Sequence, residues 1–255
     1  MAVNVNTVYR TVLLILNKEQ RGYLTPDEFN RTAAQVQLEI FNEYFEDLNQ
    51  QLRVPGNDSE YSDRIKNLEQ RIAIFQDSAP CSYAGGVFTL NIPTSIPPAP
   101  QPELYKIGTV IYKDEKEIQY VQPNELLELN LSPITKPSTY WPVYTLGGVD
   151  INKNPIIKVY PTSIDSSISC TYLRKPFDPR WGFTTTPPNY QYVYNPAQYN
   201  PVSEPTGSQN FDLHPTEQTN LIIKILLYSG VIIKDQQIVQ AAAQQIQNET
   251  VNSKN

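Results

Sequence analysis

The side chains that most often carry reaction chemistry are scarce in this chain. His214 is the single histidine among 255 residues. A Ser-His-Asp triad has to use it, and no serine sits in the G-x-S-x-G elbow that presents such a nucleophile. A zinc site of the H-E-x-x-H type needs a second histidine and is excluded. His214 stands beside Pro215 at an expected helix start, where capping is the simpler role. Cys81 and Cys170 lie in different segments without C-x-x-C spacing, which argues against a zinc knuckle or a thioredoxin-type pair. The sequence leaves open whether they join; two buried thiols in a cytosol-assembled protein are the expectation. Neither G-x-x-x-x-G-K nor G-x-G-x-x-G occurs, so no loop of those kinds cradles a phosphate. Asp-x-Asp calcium loops are absent as well.

Carboxylates remain. Glu43, Glu46 and Asp47 cluster on one expected helix, and Asp114, Glu115 and Glu117 on one expected hairpin. A glycosidase needs two such groups at a set separation in a cleft. Acids clustered along one element are more simply a solvated face. The reading is therefore no enzyme, no cofactor and no metal. Net charge is −6, which disfavours a basic nucleic-acid-binding face and suits solubility. Proline (22) outnumbers glycine (10), and tyrosine (17) outnumbers phenylalanine (8). Proline stiffens loops. Tyrosine joins a large apolar face to a polar tip, which suits surfaces that meet partners. The N-terminus lacks the basic start and apolar core of a signal peptide. The apolar runs at 13–16 and 221–233 are too short or too interrupted to span a bilayer, so the chain is expected to be soluble and made in a cytoplasm.

Amphipathic helices stand at both ends. The first is expected from Asn6 or Thr7 to Gly22, with Val8, Val12, Ile15 and Leu16 on one face. The second opens with Thr25, Pro26 and Glu28, a capping box with proline at the first helical position. Phe29, Ala33, Val36, Ile40, Tyr44 and Leu48 follow at helical spacing, and Pro55-Gly56-Asn57 ends it. A third begins at Asp58 or Ser59 and carries Tyr61, Ile65, Leu68, Ile72 and Phe75, with Asp63, Lys66, Glu69 and Arg71 on the opposite face, which is solvated or faces a neighbouring subunit. The last starts near His214-Pro215 and shows Leu221, Ile222, Ile225 and Leu226, with Gly230 as a kink or break. The predicted class is α+β. The helices at 1–80 and 213–255 form one bundle around an inserted antiparallel sandwich or barrel at 81–174, and an extended arm covers 175–212.

In the β region Val87 to Ile92 alternates as a strand. A proline-rich connector follows, then a hairpin around Lys113 to Lys116, a helical turn at 123–129, and strands at 140–146, 155–160 and 167–174. Gly147-Gly148 and Asn152-Lys153-Asn154 read as turns. Residues 175–212 are rich in Pro, Tyr, Asn and Thr and show no periodicity. A loop of that length is functional or disordered, and Phe177, Trp181, Phe183, Tyr190, Tyr192, Tyr194 and Tyr199 argue against disorder. The expectation is an arm that orders against a partner subunit; the alternative is a loop packed on its own domain.

These residues carry a resemblance. Val-Tyr-Arg-Thr-Val-Leu at 8–13, Leu-Thr-Pro-Asp-Glu-Phe-Asn at 24–30, Tyr-Leu-Arg-Lys-Pro-Phe-Asp-Pro-Arg-Trp-Gly-Phe at 172–183 and the final helix with its Gly230-Val231 step together resemble virion proteins of short-tailed phages, crAss-like phages above all. The helix–β–helix layout is similar to head-to-tail adaptors of the tail tubular protein A kind. The resemblance implies a homo-oligomeric ring of roughly twelve copies beneath the portal, assembled in the host cytoplasm and residing in the virion. Genomic DNA passes through its channel without specific binding, other tail proteins dock on it, and no membrane is involved. Partner-binding residues are then expected at Arg174, Lys175, Phe177, Trp181, Tyr190, Tyr192 and Tyr194. The alternative is a carbohydrate- or receptor-binding tail appendage using the aromatic loop.

Overall fold

A computed structural model describes residues 2–18, 23–53, 59–92, 102–151, 154–188, 191–233, 240 and 243–248. In chain order the elements are α1 (Val5–Lys18), α2 (Pro26–Arg53), α3 (Ser59–Ala73), β1 (Gln76–Ala84), β2 (Val87–Leu90), β3 (Leu104–Tyr112), β4 (Lys116–Tyr120), α4 (Pro123–Leu131), β5 (Val143–Val149), β6 (Pro155–Tyr160), β7 (Ile168–Arg174), β8 (Phe183–Thr186), β9 (Gln191–Tyr194), a 3-10 turn (Pro215–Glu217) and α5 (Gln218–Ile233). The class is mixed α+β. The chain divides into a helical unit holding Met1–Ile74 and Pro176–Asn255 and a β unit holding Phe75–Ser95 and Gln101–Lys175. The border expected at 80/81 thus falls earlier. Phe75 is already buried and its carbonyl accepts from the Arg174 amide, and Gln76 opens the β1–β7 ladder opposite Leu173. No helix among the described residues is long and apolar enough to cross a membrane.

In the helical unit the ends are set locally. Asn4 caps α1, its side-chain oxygen accepting from the amides of Asn6 and Thr7 at 2.9 and 3.1 Å. Thr25 and Glu28 close the capping box on α2. Glu28 accepts from the Thr25 amide and hydroxyl at 2.9 and 2.7 Å, which holds its carboxyl below the ordinary value. Phe29, Ala33, Val36, Ile40 and Tyr44 are all buried, one face of a 3.6-residue period. α5 packs on both α1 and α2. It buries Leu221, Ile223, Lys224, Ile225 and Ser229, positions on every side, so it is an interior helix. Gly230 does not end it, since α5 runs on to Ile233. Arg71, expected on a face that is solvated or meets a neighbouring subunit, instead reaches the buried Glu217 of its own chain at 2.6 Å. The expected helix stops at Gly22 and Pro55 to Asn57 lie outside the described residues.

In the β unit seven strands close into a barrel in the order β1-β2-β6-β5-β4-β3-β7. Closure leaves no free edge. Inward positions alternate along the strands and bring Phe88, Leu90, Val110, Ile118, Ile157 and Tyr172 into one core. The β3–β4 turn places Lys113 and Asp114 at positive φ of 54° and 56°, the left-handed pair that a tight hairpin needs. Gly147 and Gly148, expected as a turn, lie inside β5, where the register against β6 shifts between Leu146 and Gly148. Gly148 has φ of 108° there, which only glycine adopts without strain. The turn comes later, with the Asp150 amide donating to the Asn154 carbonyl at 2.8 Å.

One pairing departs from the antiparallel rule. β4 and β5 run parallel, and a parallel pair requires a long crossover, commonly helical. α4 is that crossover. Its inner side sets Leu126, with Leu129, against Val121, Val143 and Tyr160.

Candidate interaction surface

Two aromatic regions compete for the role of a docking site. The first is the expected arm. From Pro176 on, its described residues belong to the helical unit and are tied to it by side chains of α2. Asn30 accepts from the Trp181 amide at 2.7 Å and donates to the Trp181 carbonyl at 3.3 Å, so it stands in for a neighbouring strand. About two turns further along the same side of α2, buried Gln37 donates to the Phe177 carbonyl at 2.8 Å and accepts from the Asp212 amide at 2.9 Å. The Trp181 indole donates to Asn6 at 3.1 Å and its ring lies 4.4 Å from Tyr9. Trp181 keeps only 5% of its surface exposed.

The segment is also closed on itself. Arg180 and Gln209 exchange backbone hydrogen bonds at 2.8 Å. Gly182 lies so close to the backbone of Thr206 and Gly207 that a Cβ there has no room. The extended-arm expectation is therefore corrected: these residues fold onto their own unit, because their backbone polar groups find partners on α2 and among themselves. The β8–β9 hairpin, where Thr185 pairs with Tyr192 and Phe183 with Tyr194, leaves Thr184, Thr185, Tyr192 and Val193 exposed.

Six of the seven expected partner-binding residues have a definite place. Arg174 ends β7 and lies over the Phe75 ring at 5.9 Å. Lys175 pairs with Glu103 at 3.0 Å, an exposed pair of small energetic weight. Phe177 is half-buried and held through its backbone by Gln37. Trp181 is an interior residue. Tyr194 is half-buried with its ring 5.7 Å from Trp181. Tyr192 is exposed and packs edge-on against Phe183 at 5.0 Å. Tyr190 lies outside the described residues. Of the seven, Tyr192 is the one aromatic side chain the structure leaves open to a partner among the described residues.

The second region is the β4–α4–β5 crossover. The inner side of α4 is satisfied by Leu126 and Leu129. Leu127 and Leu131, four residues apart and so on one helical face, point away from the barrel and are exposed, Leu131 at 85%. Ile134 and Tyr140 continue this exposure, and Trp141 shows 82% of its surface. The turn that presents the aromatic pair is fixed by reciprocal backbone bonds between Ser138 and Trp141 at 3.3 and 3.1 Å. Lys116 lies over the Tyr140 ring at 4.8 Å. Buried Pro142 and Val143 then enter β5.

A hydrogen-bonded turn holding an exposed Tyr-Trp pair, in the same crossover as exposed leucines, has the composition of an interface centre. Sequence reasoning passed over it. The available signal was four leucines, Leu126, Leu127, Leu129 and Leu131, in one short helix, more than one face on a barrel can bury.

The groups considered for chemistry are engaged in structural work. His214 caps the 3-10 turn, its Nδ1 lying 2.8 Å from the Thr216 hydroxyl. Cys81 and Cys170 are free thiols in the barrel; burial pushes them up to about 11 and about 12. Glu43 and Glu39 both pair with the buried Lys224 of α5, Glu39 at 3.5 Å, and the Tyr228 hydroxyl donates to Glu39 at 3.1 Å. No cluster of three metal-ligating side chains occurs among the described residues. No protein-family model and no curated protein matches this chain.

Proposed function

We propose that the chain is a structural virion protein that assembles with itself into a ring of the phage head-to-tail connector, extending the DNA channel below the portal and docking further tail proteins. The phage assignment rests on the sequence resemblance. The assembly rests on one observation, the exposed Leu127, Leu131, Ile134, Tyr140 and Trp141 of the β4–β5 crossover.

Magnitudes favour multiple contacts. Burying each large apolar side chain yields about 1.5–3 kcal/mol, so five yield on the order of 10 kcal/mol before losses. Association itself costs about 4–15 kcal/mol. A single such contact is near break-even. A closed ring gives every copy two contacts, which is the arrangement that makes a surface of this size sufficient. A net charge of −6 suits a wall past which DNA slides without specific binding.

Light scattering and negative-stain microscopy of the purified chain, alone and with a portal, test the reading. Closed rings or portal-bound rings are the expected result, and a strict monomer that joins neither overturns it. Tyr140 and Trp141 also suit stacking on a sugar ring, which supports the appendage reading. A glycan array bound by the wild type and lost with Trp141→Ala selects that alternative.

A further inference from the structure

The β unit carries a second exposed apolar group at the other end of the strand that Trp141 precedes. Val149 ends β5 with two-thirds of its surface bare, and Ile151 is 97% exposed. β5 spans Val143–Val149, so the two groups are separated by roughly 20 Å of extended strand. They sit on one barrel and cannot cover each other within one copy. The α4 side belongs to the Val143 end, because Leu126 and Leu129 pack with Val143 and its register partner Tyr160. Val149 and Ile151 belong to the Pro155 end.

A two-fold contact of either group with itself would leave the other in water, and a two-fold contact of each group with the other would cover both but stop at a dimer, which the ring reading does not allow. A heterologous contact, with one group meeting the other on the next copy, covers both and propagates into a ring when the rotation closes. Charge points to the same unit. Residues 75–95 and 101–175 hold eight basic and nine acidic side chains, net −1, which leaves −5 of the chain's −6 to the remainder. Like copies therefore repel least through the barrel.

We propose that copies of this chain meet head to tail through the β unit, with Val149 and Ile151 of one copy seated against the Leu127–Leu131 and Tyr140–Trp141 face of the next. This rests on the ring reading above and names the two surfaces it uses. The face variant is Leu131→Asp with Trp141→Ala, and the end variant is Val149→Asp with Ile151→Asp. Light scattering is read on each alone and on an equimolar mixture, with far-UV circular dichroism as the folding check. Each variant alone is expected to fall to the mass of one protomer. The mixture is expected to form a 1:1 dimer and stop there, because it retains one intact surface pair.

A wild-type ring whose variants still assemble overturns this contact and leaves the ring reading standing. So does a mixture that stays monomeric when both variants are folded. A wild-type chain that never assembles overturns both. Should either variant misfold, Leu131→Cys with Ile151→Cys in one chain replaces it. Mild oxidation should then give a ladder of covalent oligomers on a non-reducing gel, and protomer alone overturns the contact.

Discussion

The chain has two tryptophans, and the regions around them are built from similar residues to opposite effect. Trp181 sits in a proline- and tyrosine-rich stretch of the helical unit and is 5% exposed; Trp141 sits in a proline-flanked turn of the barrel unit and is 82% exposed. The difference lies in where the backbone finds its partners. Around Trp181 little of the backbone is in regular structure, so Asn30, Gln37 and the Arg180–Gln209 pair supply the hydrogen bonds. Meeting those partners draws the side chains inward. Around Trp141 the backbone is already satisfied by α4, the Ser138 turn and β5. Nothing draws those side chains in, and they remain outside. Aromatic content alone does not locate an interface; the residual polar demand of the backbone decides which aromatics stay available.

The largest expected effect is at Trp181. Trp181→Ala removes ring contacts with Tyr9, Tyr194 and Phe183 and the indole bond to Asn6. Loss of a buried aromatic of this kind costs about 3–5 kcal/mol. Urea unfolding followed by circular dichroism measures it. A loss under about 1 kcal/mol, the range typical of surface positions, would return the segment to the status of a loose arm and erase the contrast.

Next in size is Gly182→Ala. The added methyl meets the backbone of Thr206 and Gly207, which cannot rotate away as a side chain can. Overpacking of that kind costs about 1–3 kcal/mol. The same melt measures it, and faster amide exchange at Gly182 and Ser208 should accompany it, since Gly182 donates to the Ser208 hydroxyl at 3.0 Å. An unchanged midpoint would mean that the 204–209 segment yields easily and is not part of the fold's tight packing.

What the sequence made legible was local. The Thr25–Glu28 box and the buried stripe from Phe29 to Tyr44 depend on residues a few positions apart, so they leave a periodic mark. The β3–β4 hairpin around Lys113 and Asp114 was legible for the same reason, and six of the seven barrel strands were expected; β1 (Gln76–Ala84) was not, because buried and exposed positions do not alternate along it. The contacts that fix Trp181 join positions far apart in the chain, Asn6 and Asn30 on one side and Trp181 on the other. A single polar side chain reaching a distant backbone leaves no pattern. Gly147-Gly148 is ambiguous by nature, since two glycines permit either a turn or a bulge. At the candidate surface, Leu126 and Leu127 are equivalent in sequence. Only the parallel β4–β5 pairing, which sends α4 across the barrel, decides that one is covered and the other is not.

The barrel interior offers a third environment and a smaller, pH-dependent effect. Burial raises the Cys81 thiol to about 11 and the Cys170 thiol to about 12, with the nearby Cys81 adding to the latter, from an ordinary value of 9.0. The folded chain therefore keeps protons that the unfolded chain releases above pH 9. The thiols' contribution to stability is full below that pH and declines as pH rises toward 11 and 12. Urea midpoints measured from pH 8 to 10 should fall, and Cys81→Ala with Cys170→Ala should flatten the slope. Slow alkylation of both thiols at pH 8, becoming fast on unfolding, is the companion result. Rapid native-state alkylation would place the thiols outside a closed barrel.

The smallest expected effect on stability is also the most discriminating. Trp141→Ala removes a side chain that is mostly in water, so the unfolding free energy should change by no more than about 0.5 kcal/mol. Its consequence lies in assembly and in light. With two tryptophans in contrasting surroundings, the Trp181→Phe chain should report a red-shifted, readily quenched emission from Trp141, and the Trp141→Phe chain a blue-shifted, protected emission from Trp181. On self-association the Trp141 signal should shift to the blue and lose its accessibility to iodide, while the Trp181 signal stays fixed. A Trp141 signal unchanged between protomer and assembly would place the contact elsewhere, and a strong loss of stability in Trp141→Ala would mean that the side chain packs inside the protomer.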